Sequence, residues 1–81
     1  MRAARLDSSM IERICYDDEQ GTLGIWFRGG GRYVYESVPA ALYEALKAAR
    51  SAGACFNARI KGRYRCRHDP ERRRFGPRRA A

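Results

Sequence analysis

At 81 residues the chain is about one domain long, and its 44% hydrophobic content is too high for a fully disordered protein. The formal net charge is +8, which directs attention to an anionic partner. No apolar run approaches the ~20 residues of a bilayer span, and the opening MRAARLDSSM lacks the apolar core of a secretion signal, so the expectation is one small cytoplasmic domain without membrane association.

The first predicted strand covers residues 10–16, rich in β-formers, and ends at the polar turn Asp17-Asp18-Glu19-Gln20-Gly21. Residues 22–28 alternate cleanly: Leu23, Ile25 and Phe27 point one way, and Thr22, Gly24, Trp26 and Arg28 point the other. Gly29-Gly30-Gly31 links this strand to residues 32–36, where Tyr33 and Tyr35 share one face and Val34 takes the opposite one. Three consecutive strands with short links predict a three-stranded antiparallel meander.

The period then changes. Pro39 suits a helical first turn, where its missing N–H costs nothing. Leu42, Leu46 and Ala49 form one apolar stripe, Lys47 and Arg50 complement the dipole of the last turn, and Gly53 is read as the stop. Phe56 and Ile60, four apart, predict a short second helix over residues 54–61 that Gly62 ends. The fold class expected is therefore α+β, with the meander covered on one face by one main helix and a shorter one. Its core is expected to hold Ile11, Ile14, Leu23, Ile25, Phe27, Val34, Val38, Leu42, Leu46, Phe56 and Ile60. The ordered apolar pattern stops near Tyr64. Residues 65–81 contain one large apolar side chain, Phe75, and read as a mobile basic tail on a domain spanning 1–64. Asp69-Pro70-Glu71 has the capping chemistry to start a short helix there.

The residues Ser8-Ser9, Ile11, Ile14, Tyr16-Asp17, Leu23 to Phe27, Gly31, Tyr33-Val34-Tyr35, Val38-Pro39, Tyr43 and Ser51-x-Gly53-x-x-Phe56-Asn57-x-x-Ile60 occur in an order that resembles the KTSC domain. That family takes its name from the C-terminal domain of some lysyl-tRNA synthetases and includes free-standing small bacterial proteins. The resemblance covers about residues 6–64, carries no catalytic residues, and by its synthetase context implies an RNA partner. The three-Gly link and the Arg-rich end lie outside its pattern.

Charge supports the same partner. Residues 1–46 carry five Arg against seven acids, whereas residues 47–81 carry twelve Lys or Arg against two acids. Fifteen of the seventeen cations are Arg, whose planar fork matches phosphate and stacks on bases. Neutralised phosphates release counterions and give affinity that does not depend on sequence. A basic composition alone would give the same arithmetic without a partner, so the site must be named from residues.

Three groups are candidates. Tyr33 and Tyr35, joined by Trp26 if the register places it beside them, form a stacking platform for bases if their face is open. If they lie alongside Leu23, Ile25 and Phe27 they belong to the core. Arg59, Lys61, Arg63, Arg65 and Arg67 form a run of alternate cations that fits a phosphate-tracking stripe. Arg28-Gly29-Gly30-Gly31-Arg32 has the composition of an anion nest, but glycine in a hairpin link is ordinary turn chemistry. Cys15, Cys55, Cys66 and His68 lack paired ligand spacing for zinc. An odd cysteine count without a secretion signal argues instead for free thiols in a reducing compartment. His68 beside Asp69 has no preorganised nucleophile, and Asp17, Asp18 and Glu19 fall in a turn, so neither catalysis, a metal nor a cofactor is expected.

The expectation is a non-catalytic binder of RNA, either tRNA or single-stranded RNA. Trp26, Tyr33 and Tyr35 would stack bases while Arg59, Lys61, Arg63, Arg65 and Arg67 contact phosphate. The alternative is a protein-interaction module or homodimer formed through the open sheet face.

Overall fold

Alternation sets up the sheet, and two strands that no alternation announces complete it. The computed structural model describes residues 1–69. The strands β1 (Arg2–Arg5), β2 (Ile11–Asp17), β3 (Thr22–Phe27) and β4 (Gly31–Tyr35) precede the helices α1 (Ala40–Ala48) and α2 (Ala52–Arg59), and β5 (Cys66–His68) follows them. All neighbouring strands are antiparallel, in the order β1-β2-β3-β4-β5. The sheet is thus five-stranded and the expected three strands are its middle. β1 reads Arg-Ala-Ala-Arg and β5 reads Cys-Arg-His, so neither has an apolar face of its own. Their order comes from backbone pairing with β2 and β4, a long-range contribution that local patterning does not carry. β5 also falls inside the segment expected to be tail. Glu36 N donates to Arg65 O and Asp69 N donates to Arg32 O, which fixes the chain at both ends of that strand. Residues 70–81, which include the remaining tail and the predicted helix start, lie outside the described residues.

A bulge corrects the phase of β2. Strict alternation would point Ile11 and Ile14 to opposite faces, three residues apart. A register shift between Ile11 and Arg13 turns both inward, and both are fully buried. The same shift sets Arg13 opposite Trp26.

The helices start and stop for local reasons. Pro39 is the residue before α1, as its fixed φ favours. α1 ends at Ala48, earlier than the expected stop at Gly53, because Ala49 is already extended. The chain then restarts at Ser51, whose hydroxyl accepts from Ala54 N at 3.2 Å and caps α2. Gly53 therefore sits in the first turn of α2, where an added Cβ would lie 3.1 Å from Met10 Sδ.

Both helices pack on one sheet face. Leu42, Tyr43 and Leu46 of α1, with Phe56 of α2 and Ile60 just beyond it, cover Ile14, Tyr16, Leu23, Ile25 and Tyr35. Each such side chain contributes about 1.5–3 kcal/mol by burial, which a domain this small needs in full. Tyr16, Tyr35 and Tyr43 enter the core that was expected to be aliphatic and phenylalanine. Tyr16 satisfies its hydroxyl by donating to Val38 O at 2.6 Å. Phe27 and Tyr35 meet the ring of Phe56 edge-on at 5.3 and 5.7 Å. On the periphery, Arg2 ties β1 to the β2–β3 turn and to α1 through Asp18 at 3.0 Å and Glu44 at 2.8 Å.

Candidate functional site

The opposite sheet face has no helix over it among the described residues, and the register fixes what it displays. One row across the sheet reads Arg5, Arg13, Trp26, Arg32. The next reads Ala3, Cys15, Gly24, Val34, Arg67. Cross-strand neighbours are close enough for side chains to touch. Arg13 Cζ lies 4.2 Å from the Trp26 ring centroid and Arg32 Cζ lies 4.9 Å from it, so guanidinium groups from the strands on either side flank the indole. Cations are attracted to the negative face of the ring, and the contact holds the three groups together.

Gly24 makes room for this arrangement. An added Cβ there would lie 2.9 Å from Cys15 Sγ and 3.4 Å from both Nε and Nη2 of Arg32. The Arg32 side chain thus passes over β3 at Gly24, at contact distance from where a Cβ would stand, and Cys15 Sγ is the atom that a Cβ would crowd. Its Nη1 pairs with Asp69 Oδ2, and the two side chains are only 18% and 15% exposed. Arg32 Nε is buried and has no hydrogen-bond partner among the described residues. Two adjacent clefts open on this face. One, of about 290 Å³, is bordered by Ala3, Arg13 and Trp26. The other, of about 230 Å³, is bordered by Gly24, Val34, Arg67 and Asp69. Cys15 and Arg32 line both.

Tyr33 and Tyr35 are not on this face. Tyr33 pairs with Ile25 and Tyr35 with Leu23, so both tyrosines share the helix-covered side. Tyr35 is buried, and Tyr33 is half-buried between Phe27 at 5.8 Å and His68 at 4.9 Å. Burial, with Cys66 and Tyr33 nearby, pushes the Tyr35 hydroxyl up to about 12. Tyr33 and Tyr35 therefore do not form the open-face platform expected of them, and Trp26 is the aromatic side chain that the parity of β3 turns to the open face. The local pattern gave each strand two faces but not the pairing of faces between strands.

The run of alternate cations is divided as well. A stripe at period 2 needs extended backbone, but α2 continues through Arg59 and a turn occupies the residues after Ile60. Arg59, Lys61 and Arg63 are exposed beside the helical layer, and Arg63 Nε donates to Ala58 O. Arg65 is exposed ahead of β5. Arg67 reaches the open face, 3.7 Å from Glu36. The glycine link behaves as a turn: Arg28 is bound to the carbonyls of Ser8 and Leu6, while Arg32 lies over the sheet. Cys15 faces the open side and Cys66 and His68 face the helices, so those thiols and the imidazole do not converge.

Arg13 was not a candidate in the sequence reading, and Arg32 entered it only as a flank of the glycine link. The signal that finds them is positional: each occupies the outward phase of a strand bordering the one that carries Trp26. Using it requires the bulge in β2 and the β3–β4 register.

Known proteins share this arrangement of elements. The KTSC domain family model matches residues 7–64. A protein of Tsukamurella paurometabola is 38% identical over 60 residues, covering 74% of this chain and 90% of its own length. A lysine–tRNA ligase of Nostoc punctiforme is 37% identical over 59 residues, 73% of this chain but 10% of the ligase. The crystal structure of a KTSC domain protein from Yersinia pestis superposes with a TM-score of 0.80 at 35% identity, over 84% of this chain and 96% of that one.

Proposed function

This chain belongs to the KTSC domain family, and on that premise we propose that it is a small non-catalytic RNA-binding module whose contact surface is the open sheet face around Trp26. The observation that carries the reading is the indole flanked by the guanidinium groups of Arg13 and Arg32 on a face that no helix covers among the described residues. Planar aromatic and guanidinium groups stack unpaired bases, and the same guanidinium groups pair with phosphate. Arg67, on the same face, extends the cationic surface toward the C-terminal end. Arg59, Lys61, Arg63 and Arg65, with the arginines after residue 70, supply attraction that is not specific to sequence. The segment in common with a lysine–tRNA ligase supports RNA over other polyanions, since tRNA is the nucleic acid in that enzyme's name.

Homodimerisation through this face would bring the arginines of two copies close together, with Asp69 and Glu36 offsetting part of that charge.

The test is a titration of the full chain with single-stranded RNA, tRNA and duplex DNA at two salt concentrations, beside light scattering of the free protein. RNA affinity that falls with salt and is weakened by Trp26→Ala is the expected result. Affinity independent of salt or of Trp26, or a dimer that buries this face, overturns the reading.

A further inference from the structure

A larger cleft lies away from Trp26, where the loop between β1 and β2 meets the junction of the two helices. It measures about 540 Å³ and is bordered by two cations of the helical layer, Lys47 in the last turn of α1 and Arg50 in the link to α2; Arg5, which also lines it, is set by the register on the row of the open face. Asp7 is the one carboxylate among the described residues that line it. The cleft therefore holds the positive charges of Lys47 and Arg50 against the negative charge of Asp7, none of them in an ion pair among the described residues.

The hydroxyls in the wall narrow the ligand further. Ser8 Oγ accepts from both Met10 N and Ile11 N, at 3.1 Å each. A hydroxyl has two acceptor sites and one donor, so Ser8 retains only its donor. Ser51 Oγ accepts from Ala54 N and likewise keeps its O–H for another acceptor. Cations and hydroxyl donors together suit a ligand made of acceptors that carries negative charge. The lining has no aromatic side chain on which a base would stack. We infer that this cleft is a phosphate-binding site, separate from the Trp26 face and independent of the RNA reading made for it. Lys47 and Arg50 contribute charge-assisted contacts, Ser8 and Ser51 donate hydrogen bonds, and Asp7 limits the charge the site accepts.

The phosphate could be free, or it could be the end group of a nucleic acid, and the experiment has an arm for each. In the first, inorganic phosphate is titrated into the full chain at constant ionic strength, followed by amide chemical shifts. Saturable shifts centred on residues 8–10 and 51–53 are expected. Lys47→Ala with Arg50→Ala should weaken binding about tenfold or more, with the thermal midpoint recorded to exclude unfolding. Asp7→Asn should tighten it, a change that a merely structural role for these residues would not produce. In the second arm, one short RNA is compared with a 5′-phosphate and with a 5′-hydroxyl. A preference for the 5′-phosphate that Lys47→Ala with Arg50→Ala abolishes assigns the site to a nucleic-acid end. Saturable inorganic phosphate without that preference assigns it to a free phosphate. Shifts that spread in proportion over all cationic residues, or no response in either arm, overturn the site.

Discussion

Trp26 and Arg32 stand directly opposite each other on β3 and β4, with Arg32 Cζ 4.9 Å from the indole centroid. One residue further along β4, Tyr33 points to the other side and packs against Phe27. Trp26→Ala and Tyr33→Ala are therefore expected to act on different properties. Trp26→Ala should cost about 1–3 kcal/mol of RNA binding if a base stacks there, with the fold retained. Tyr33→Ala combined with Tyr35→Ala should chiefly unfold the domain, since truncating a large buried aromatic costs about 3–5 kcal/mol. Circular dichroism melts beside fluorescence-anisotropy titrations separate the two effects.

Gly24→Ala is predicted to destabilise the protein and to disturb the Arg32–Trp26 contact together. The new methyl would lie 2.9 Å from Cys15 Sγ. Cys15→Ala removes that sulfur, so the double variant should recover part of the loss. A double-mutant cycle on thermal stability measures the coupling, and additive losses would show that the sulfur is not the obstacle.

Alkali should unfold the protein through Tyr35. Its hydroxyl is raised from the usual 10 to about 12 in the fold, so the folded state holds its proton more tightly than the unfolded chain. The stabilisation is complete below pH 10 and is lost as pH rises toward 12. Tyr35→Phe has no proton to lose and should flatten the decline in stability across that window. Denaturant titrations at pH 8 and pH 11 give the comparison.

Ser51→Ala removes the acceptor for Ala54 N at the start of α2. A loss of about 1 kcal/mol in unfolding free energy is expected, measured by chemical denaturation.

A chain that stops after residue 64 retains every residue that the family model matches but lacks β5. It should be less stable than one that stops after residue 69, because it exposes the edge of β4 and leaves Arg32 without Asp69. Equal stability would mean that β5 adds nothing to the fold.

Much of the fold was legible because it is written in short periods. Leu23, Ile25 and Phe27 announce β3, and Leu42 with Leu46 announces α1, by spacing alone. Arg2–Arg5 and Cys66–His68 announce nothing, because an edge strand without an apolar face is specified by its neighbour's backbone. The site was half legible for the same reason. Trp26 was assigned to the outward side of its strand from alternation. Tyr33 and Tyr35 were assigned a common face, but whether that face met Leu23 or Trp26 depended on inter-strand register. Arg13 was hidden further, since the bulge beside it shifts the phase of β2.

The position of Asp69 has a spatial consequence. Its N–H donates to Arg32 O at 2.8 Å and its carboxylate holds the Arg32 guanidinium, so the last described residue is anchored beside the indole. The twelve residues beyond it carry five arginines and are covalently tethered at that point. At full extension they reach no further than roughly 40 Å. On the proposed RNA reading, an anion captured by those arginines would be kept at high local concentration near Trp26, and a weak first encounter would become an intramolecular search for the second.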